Sequence, residues 1–176
     1  MANVDFPHGI RPLGISLSGS PLMFYQSMKK VATYGTAIFV YDAVNRVADA
    51  SIEASATPGT TLYSGVAMNY GAASTLTTHS VLVTPSAIYE AQGDTGGSAT
   101  LDEADMGLNA NLILTAGNAT THQSKHQIDA STKNTTYSLD VKLLQLLNVP
   151  DNAYGAQARI EIVFNAHRMS PAVAGV

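Results

Sequence analysis

A strict alternation of apolar and polar residues between Arg159 and His167 sets the first limit on the fold. Its apolar positions are Ile160, Ile162, Phe164 and Ala166, each two residues after the last. Successive side chains of a β-strand point to opposite faces, so this period indicates a half-buried strand. We therefore expect a strand whose apolar side faces the core and whose other side carries Arg159, Glu161, Val163, Asn165 and His167.

Several further segments have the composition of strands separated by turns. β-Branched and aromatic residues bounded by turn formers predict strands at Thr36–Tyr41, Ser64–Gly71, His79–Thr84, Ala87–Gln92 and Leu108–Thr115. The apolar run Leu139–Leu147 fits a helix or a strand by its spacing, and the β-formers before it and Pro150 after it favour a strand. The chain is thus expected to be mainly β, an antiparallel barrel or sandwich with long loops and little helix.

The length of the chain and the positions of its prolines and glycines indicate one domain with an arm. The chain has 176 residues, within the range of roughly 100–200 that one domain occupies. Prolines and glycines interrupt residues 1–20 too often for a helix, yet the segment is too apolar for a free tail. We expect an extended N-terminal arm, residues 1–20, which docks on the chain itself or on a partner. Its removal should leave a single β-rich domain, residues 21–176, folded.

Two segments are expected at the surface. Gly117–Asn134 is dense in Thr, Asn, Gln and His, which predicts a long polar excursion with a loose hairpin around Ile128. Leu101–Met106 predicts one exposed helical turn. The acidic residues of this turn, Asp102, Glu103 and Asp105, are favoured by the positive end of the helix dipole.

Charge and hydropathy argue against several classes of protein. Charged residues make up 12% of the chain, about half the usual share, and the net charge is −4. No basic patch is visible, so we expect no nucleic-acid binding. No apolar run approaches the length of a membrane span, and the first residues lack the features of a signal peptide, so we expect folding in a cytoplasm. Without cysteine the chain has neither disulfides nor thiolate metal ligands.

The residues that might carry chemistry do not form a known catalytic or metal-binding motif. His122 and His126 stand four apart, a spacing that can bind zinc on a helix, but the glutamate of a zinc-protease motif is missing. We expect both histidines to be solvated in a loop. Asn165 and His167 share the outward face of their strand, where they either line a pocket, face water or meet another subunit. We expect no enzymatic activity, no cofactor and no metal.

An ordered set of short motifs resembles a family of small structural proteins of tailed bacteriophages, the capsid decoration or cement proteins. The motifs span most of the chain. They are D-F-P-H-G-I-R-P-L-G (5–14), T-A-I-F-V-Y-D-A-V (36–44), P-G-T-T-L-Y-S-G-V (58–66), V-L-V-T-P-S-A-I-Y-E-A-Q (81–92), D-M-G-L-N-A-N-L (105–112), L-N-V-P-D-N-A-Y-G (147–155) and N-A-H-R (165–168). The polar segment 117–134 lies outside the resemblance and receives no role from it.

The resemblance implies a structural virion protein without catalytic activity. Such a protein binds the outer surface of the assembled capsid and cements neighbouring subunits of the major capsid protein, its partner. It would be a homo-oligomer, with a trimer favoured over a dimer, located on the virion surface after assembly in the host cytoplasm. The residues expected to contact the capsid or another copy are Phe6, Pro7, Ile10, Arg11, Leu13, Asn165 and His167. A phage tail or fibre module that adheres to a host surface is the alternative, because it shares this β-rich, cysteine-free composition.

Overall fold

Antiparallel strands form nearly all of the regular structure. The computed structural model describes residues 3–19, 23–59, 62–95 and 99–169. In chain order the strands are β1 (Arg11–Ser16), β2 (Tyr25–Lys30), β3 (Ala43–Arg46), β4 (Ile52–Ala54), β5 (Gly65–Ala67), β6 (Thr77–Leu82), β7 (Ala87–Gln92), β8 (Asn109–Ala110), β9 (Leu112–Ile113), β10 (Gln127–Ile128), β11 (Val141–Leu146) and β12 (Arg159–Phe164). Single 3₁₀ turns occupy Glu103–Asp105 and Ala130–Thr132.

Two five-stranded sheets pack face to face. The first has the order β1-β7-β12-β11-β8, the second has the order β2-β6-β5-β3-β4, and β9 pairs with β10 in a separate ribbon. All of these pairs are antiparallel. The expectation of a mainly β, antiparallel fold with little helix is confirmed, and the arrangement is that of a sandwich.

The main core lies between the sheets. Tyr89 and Ile162 from the first sheet meet Val66 and Leu82 from the second, and all four are fully buried. Phe164 is stacked on Tyr63 with ring centroids 4.8 Å apart and meets Tyr89 edge-on at 5.2 Å. Burying a side chain of this size contributes about 1.5–3 kcal/mol, so this layer holds the two sheets together.

A second apolar cluster covers the other face of the second sheet. Val81 and Ala67 belong to it, whereas their strand neighbours Leu82 and Val66 face the main core. Successive residues of one strand thus supply two different cores. The edge strands β2 and β4 come into contact with each other, so this sheet curls around its own cluster.

Several of the expected strands are present. Ala87–Gln92 is β7 with the expected ends, and the ambiguous run Leu139–Leu147 contains β11. The pairing of β11 with β12 shifts register between Leu143 and Gln145, which accounts for the break in the alternation of that run. β5 lies within the predicted strand Ser64–Gly71. β6 overlaps the predicted strand His79–Thr84 but begins earlier, at Thr77.

One strand prediction is wrong, and another covers two short strands instead of one. Thr36–Tyr41 forms only single bridges, from Ile38 to Gly71 and from Val40 to Gln123, and Tyr41 has a φ of 71°. A left-handed residue turns the chain and prevents a continuous ladder. Leu108–Thr115 is split between β8, in the first sheet, and β9, in the ribbon with β10.

The polar segment Gly117–Asn134 is a surface excursion only in part: residues 119–122 are exposed, whereas residues 124–130 are not. Every second residue from Ser124 to Ala130 is buried, and Ile128 lies in β10, paired with Leu112 of β9. Polar side chains can be buried where each finds a hydrogen-bond partner. Ser124 Oγ, for example, accepts from the His126 backbone at 3.1 Å. Residues 124–130 therefore contribute to the core, although their polar composition suggested a surface loop.

The N-terminal residues pack on their own chain. Ile10 is fully buried in the main core, and β1 is the edge strand of the first sheet, paired with β7. The expected boundary between residues 20 and 21 lies outside the described residues. Ile10 thus adds to the main core, and β1 completes the edge of the first sheet.

Candidate interaction surface and polar pocket

The segment Asn3–His8 is held across the first sheet by side-chain hydrogen bonds. The Asn3 amide donates to the carbonyls of Ala153 and Ala156, both at 2.8 Å, and accepts from the Ala153 backbone at 3.0 Å. Gln92 of β7 accepts from the Phe6 backbone at 3.1 Å and donates to the Val4 carbonyl at 2.7 Å. The buried Gln92 side chain thus makes the backbone hydrogen bonds that a neighbouring strand would otherwise make with this segment.

A buried ionic cluster lies below the same segment. Glu90 of β7 is 2% exposed, and its Oε1 lies 2.7 Å from His8 Nε2. The same oxygen accepts hydrogen bonds from Arg159 Nε at 2.9 Å and from Arg159 Nη2 at 2.5 Å. Burial alone would raise the pKa of Glu90. The hydrogen bonds and positive charges of His8 and Arg159 outweigh burial, and the pKa of Glu90 is lowered. Glu90 is therefore ionised and tied to both its partners.

Both ring nitrogens of His8 lie against oxygen atoms. Nδ1 lies 3.0 Å from the Phe6 carbonyl, and Nε2 faces the Glu90 carboxylate at 2.7 Å. His8 thus fastens the N-terminal segment to β7.

Large apolar side chains are exposed along one side of the sandwich. Ile15 and Leu17 lie in or next to β1, and Phe24 and Tyr25 lie at the start of β2. Leu17 and Phe24 are bonded through their backbones to Ser86 and Val83, so they flank the same connection between β6 and β7. We call Ile15, Leu17, Phe24 and Tyr25 the edge patch. Exposed apolar groups that lie close together are a feature of contact surfaces.

The seven residues expected to make contacts are divided between surface and core. Phe6 is 65% exposed and Arg11 is exposed, whereas Pro7 and Leu13 are half-buried. Ile10 is fully buried, so it offers no surface for a partner. Asn165 is half-buried and donates to Asn109 Oδ1 and the Leu139 carbonyl, both at 3.0 Å.

The expectation that His167 lies on the outward face of its strand is wrong. β12 ends at Phe164, two bend residues follow, and His167 forms a bridge with Tyr63. The alternation is therefore interrupted before His167, and its side chain is fully buried. Burial lowers the pKa of His167 to about 4, so the ring is neutral at pH 7.

A pocket of about 530 Å³ opens between the N-terminal segment, the ends of β7 and β12 and the β11–β12 loop. Among the residues that line it are His8, Arg11, Tyr41, Gln123, Asp151 and Arg159. Its volume lies within the range of roughly 300–1,000 Å³ typical of small-ligand sites. The resemblance-based expectation included Arg11 but none of the other five.

The expectation for the two loop histidines holds for only one of them. His122 is exposed and stacks on Tyr70 with ring centroids 3.9 Å apart. His126 is 3% exposed, accepts from the Ala43 backbone through Nδ1 at 3.3 Å, and lies 3.4 Å from Asp42. Burial lowers the pKa of His126 to about 4 and raises the pKa of Asp42 to about 6. This pair is part of the core.

The acidic turn forms where it was expected. Asp102 caps the 3₁₀ turn Glu103–Asp105 by accepting from the Ala104 backbone at 3.0 Å, and Asp105 accepts from the Asp102 backbone at 2.8 Å. Asp105 is buried and pairs with Lys133 at 2.6 Å, so it is less exposed than expected. Among the described residues no three His, Cys, Asp or Glu side chains come together as metal ligands.

Sequence reasoning missed Glu90 and its partners. A single acidic residue inside the apolar strand A-I-Y-E-A-Q was the available signal, because an ionised side chain on a covered strand requires a cationic partner. Its partners His8 and Arg159 are remote in the chain, and Arg159 lies 69 residues away. Only the folded structure identifies them.

The chain matches none of the family models, curated proteins or solved structures with which it was compared. Within the described part of the chain, no helix has the length and apolar character needed to cross a membrane.

Proposed function

We propose that this chain is a structural virion protein that binds the outer surface of an assembled phage capsid and cements neighbouring subunits of the major capsid protein. The edge patch is the observation that supports the proposal. Leu17 and Phe24 are 57% and 62% exposed beside the same connection between β6 and β7, where they offer apolar area to a partner. The motif resemblance gives the kind of partner, and no catalytic role is part of the proposal.

The N-terminal segment adds a second apolar surface. Val4 and Phe6 are 74% and 65% exposed, although their backbones are tied to Gln92. The segment thus presents two apolar side chains on a fixed backbone, which lowers the entropy lost when a partner binds. A homo-oligomer, with a trimer favoured, would multiply these contacts on a symmetric shell.

Cosedimentation with empty shells of the cognate major capsid protein tests this function. The double variant Leu17→Ser, Phe24→Ser should lose most of its shell binding, because the edge patch loses its apolar area. Tyr137→Ser is the matched control: Tyr137 is 87% exposed, and its neighbour Thr136 bonds to Asn109 of β8, the opposite edge of the first sheet. This control should bind like the wild type.

Two outcomes would overturn the proposal. The first is wild-type protein that does not bind shells, or that binds nucleic acid instead. The second is antibody labelling of virions that decorates the tail and leaves the shell bare, which would favour the tail or fibre alternative.

A further inference from the structure

The walls of the polar pocket are built from amides whose hydrogen bonds are already used. Asn152 donates to the carbonyls of Leu147 and Arg159 and accepts from the Arg159 backbone, all at 2.8–2.9 Å. Gln92 and Asn3 are engaged in the same way with the N-terminal segment and the β11–β12 loop. These contacts fix the pocket before any ligand arrives, which favours binding.

Other groups in the pocket have unused hydrogen-bonding capacity. The guanidinium of Arg11, which is exposed, lines the pocket and makes no hydrogen bond or ion pair with any described residue. The side chains of Gln123 and Gln157, which are half-buried, also line the pocket and make none. Arg159 uses Nε and Nη2 on Glu90, and its side chain is one-third exposed. The pocket therefore has a fixed wall and a separate set of available donors.

Charge points to the kind of ligand. Arg11 lies directly opposite Glu90 in the β1–β7 register, yet Glu90 is already matched by His8 and Arg159. Asp151 also lines the pocket but makes no ion pair with Arg11 among the described contacts. Glu90 accepts from Nε and Nη2 of Arg159, so the Arg11 guanidinium is left without an anionic partner among the described residues. The carboxylate of a ligand would supply that partner.

We propose that this pocket binds a ligand bearing a carboxylate, with Arg11 as its anchor. The planar guanidinium fork matches the two oxygens of a carboxylate. Gln123 and Gln157 then hydrogen-bond to the other polar groups of the ligand. The inference rests on the pocket alone and does not depend on the proposed capsid role.

The test is a titration of ¹⁵N-labelled full-length protein with glutarate, followed through backbone and side-chain amide resonances. Saturable shifts should appear at Gln123 and Gln157 and around Arg11. Arg11→Gln should weaken binding about tenfold or more, since a hydrogen bond between charged groups contributes about 1.5–3 kcal/mol. Lys29→Gln, which removes one exposed positive charge from β2, should bind like the wild type.

Further probes define the ligand class. Glutaramide, of the same shape but neutral, should not bind. A capped Gly-Glu-Gly peptide tests whether an acidic side chain of a protein fits as well as a free acid, and tighter binding of either source supports the site. Inorganic phosphate that binds more tightly than glutarate would overturn the carboxylate assignment. Equal affinity of Arg11→Gln and wild type, or shifts confined to residues outside the pocket, would overturn the site itself.

Discussion

At the scale of single residues, buried charge determines how the first sheet is covered. Glu90 lies on the outer face of β7, where an ionised carboxylate without partners would cost several kcal/mol. His8 and Arg159 provide those partners, and His8 can do so only if the N-terminal segment crosses the sheet. The path of residues 3–8 is therefore tied to one acidic residue.

Asp42 and His126 avoid the cost of a buried charge in a different way from Glu90. Both side chains are nearly inaccessible, and burial shifts each pKa toward its neutral form, raising that of Asp42 to about 6 and lowering that of His126 to about 4. A carboxyl with a raised pKa contributes stability at low pH that is lost as pH rises through the folded-state value. A histidine with a lowered pKa contributes stability above its unfolded value of about 6.5, lost as pH falls.

The two residues should therefore give opposite pH profiles when they are replaced. Relative to wild type, the unfolding free energy of Asp42→Asn should rise between pH 4 and 6, by about 2–3 kcal/mol, because only the wild type loses the Asp42 contribution there. Relative to wild type, that of His126→Gln should fall between pH 4 and 6.5. Urea denaturation across this range measures both, and profiles parallel to wild type would contradict the neutral buried pair.

At the scale of elements, the sequence predicts a strand well when nearby residues determine it, and poorly when a distant partner strand does. β7 was predicted with its observed ends because Pro85 precedes it and Gly93 follows it. The inward faces of Ile160 and Ile162 were read correctly from the alternation, since the pleat of a strand is a local property. Thr36–Tyr41 has equally strong β propensity but no continuous partner strand, and partners are chosen by tertiary packing.

The site was less predictable than the strands. Arg11 and Phe6 were named as surface residues and are exposed, whereas the pocket that Arg11 lines also needs residues from β7, β12 and two loops. Ile10 and Leu13 are close neighbours in the chain, but one is buried and the other half-buried. Spacing alone does not distinguish them, because β1 carries an irregularity between Pro12 and Ser16.

Gly65 is the glycine on which the second sheet depends. A Cβ at this position would lie 2.0 Å from the Leu82 carbonyl oxygen, and its φ is 144°. Gly65→Ala should therefore push β5 away from β6 and destabilise the fold by about 3 kcal/mol or more. Gly35→Ala is the control, since a Cβ there meets nothing within 4 Å. Equal urea midpoints for the two variants would contradict this account of the β5–β6 contact.

At the scale of the whole molecule, the N-terminal segment joins the fold to the proposed function. It exposes Val4 and Phe6 on the surface, while Ile10 and β1 complete the first sheet and the main core. The sequence suggested an arm that could be removed without harm to the domain. The contacts of Ile10, β1 and His8 indicate that the same segment is needed for stability.

Two truncations distinguish a removable arm from an integral strand. Deleting residues 1–20 removes Ile10, worth about 1.5–3 kcal/mol, the β1–β7 pairing and the His8 partner of buried Glu90. These losses approach the total stability of about 5–15 kcal/mol typical of a domain, so this variant should show no cooperative unfolding transition. Among the described residues, deleting 1–5 removes Asn3 with its exposed hydrogen bonds, Val4 with its bond to Gln92, and Asp5. This deletion should cost about 1–3 kcal/mol.

Thermal unfolding monitored by circular dichroism compares the two variants, and the shorter deletion then allows a test of function. Because it stays folded but lacks the exposed Val4, it should bind capsid shells more weakly than wild type without a change in fold. A cooperative, wild-type-like transition for the longer deletion would show that residues 1–20 are a detachable arm after all. The burial of Ile10 would then be incidental to the stability of the two-sheet core.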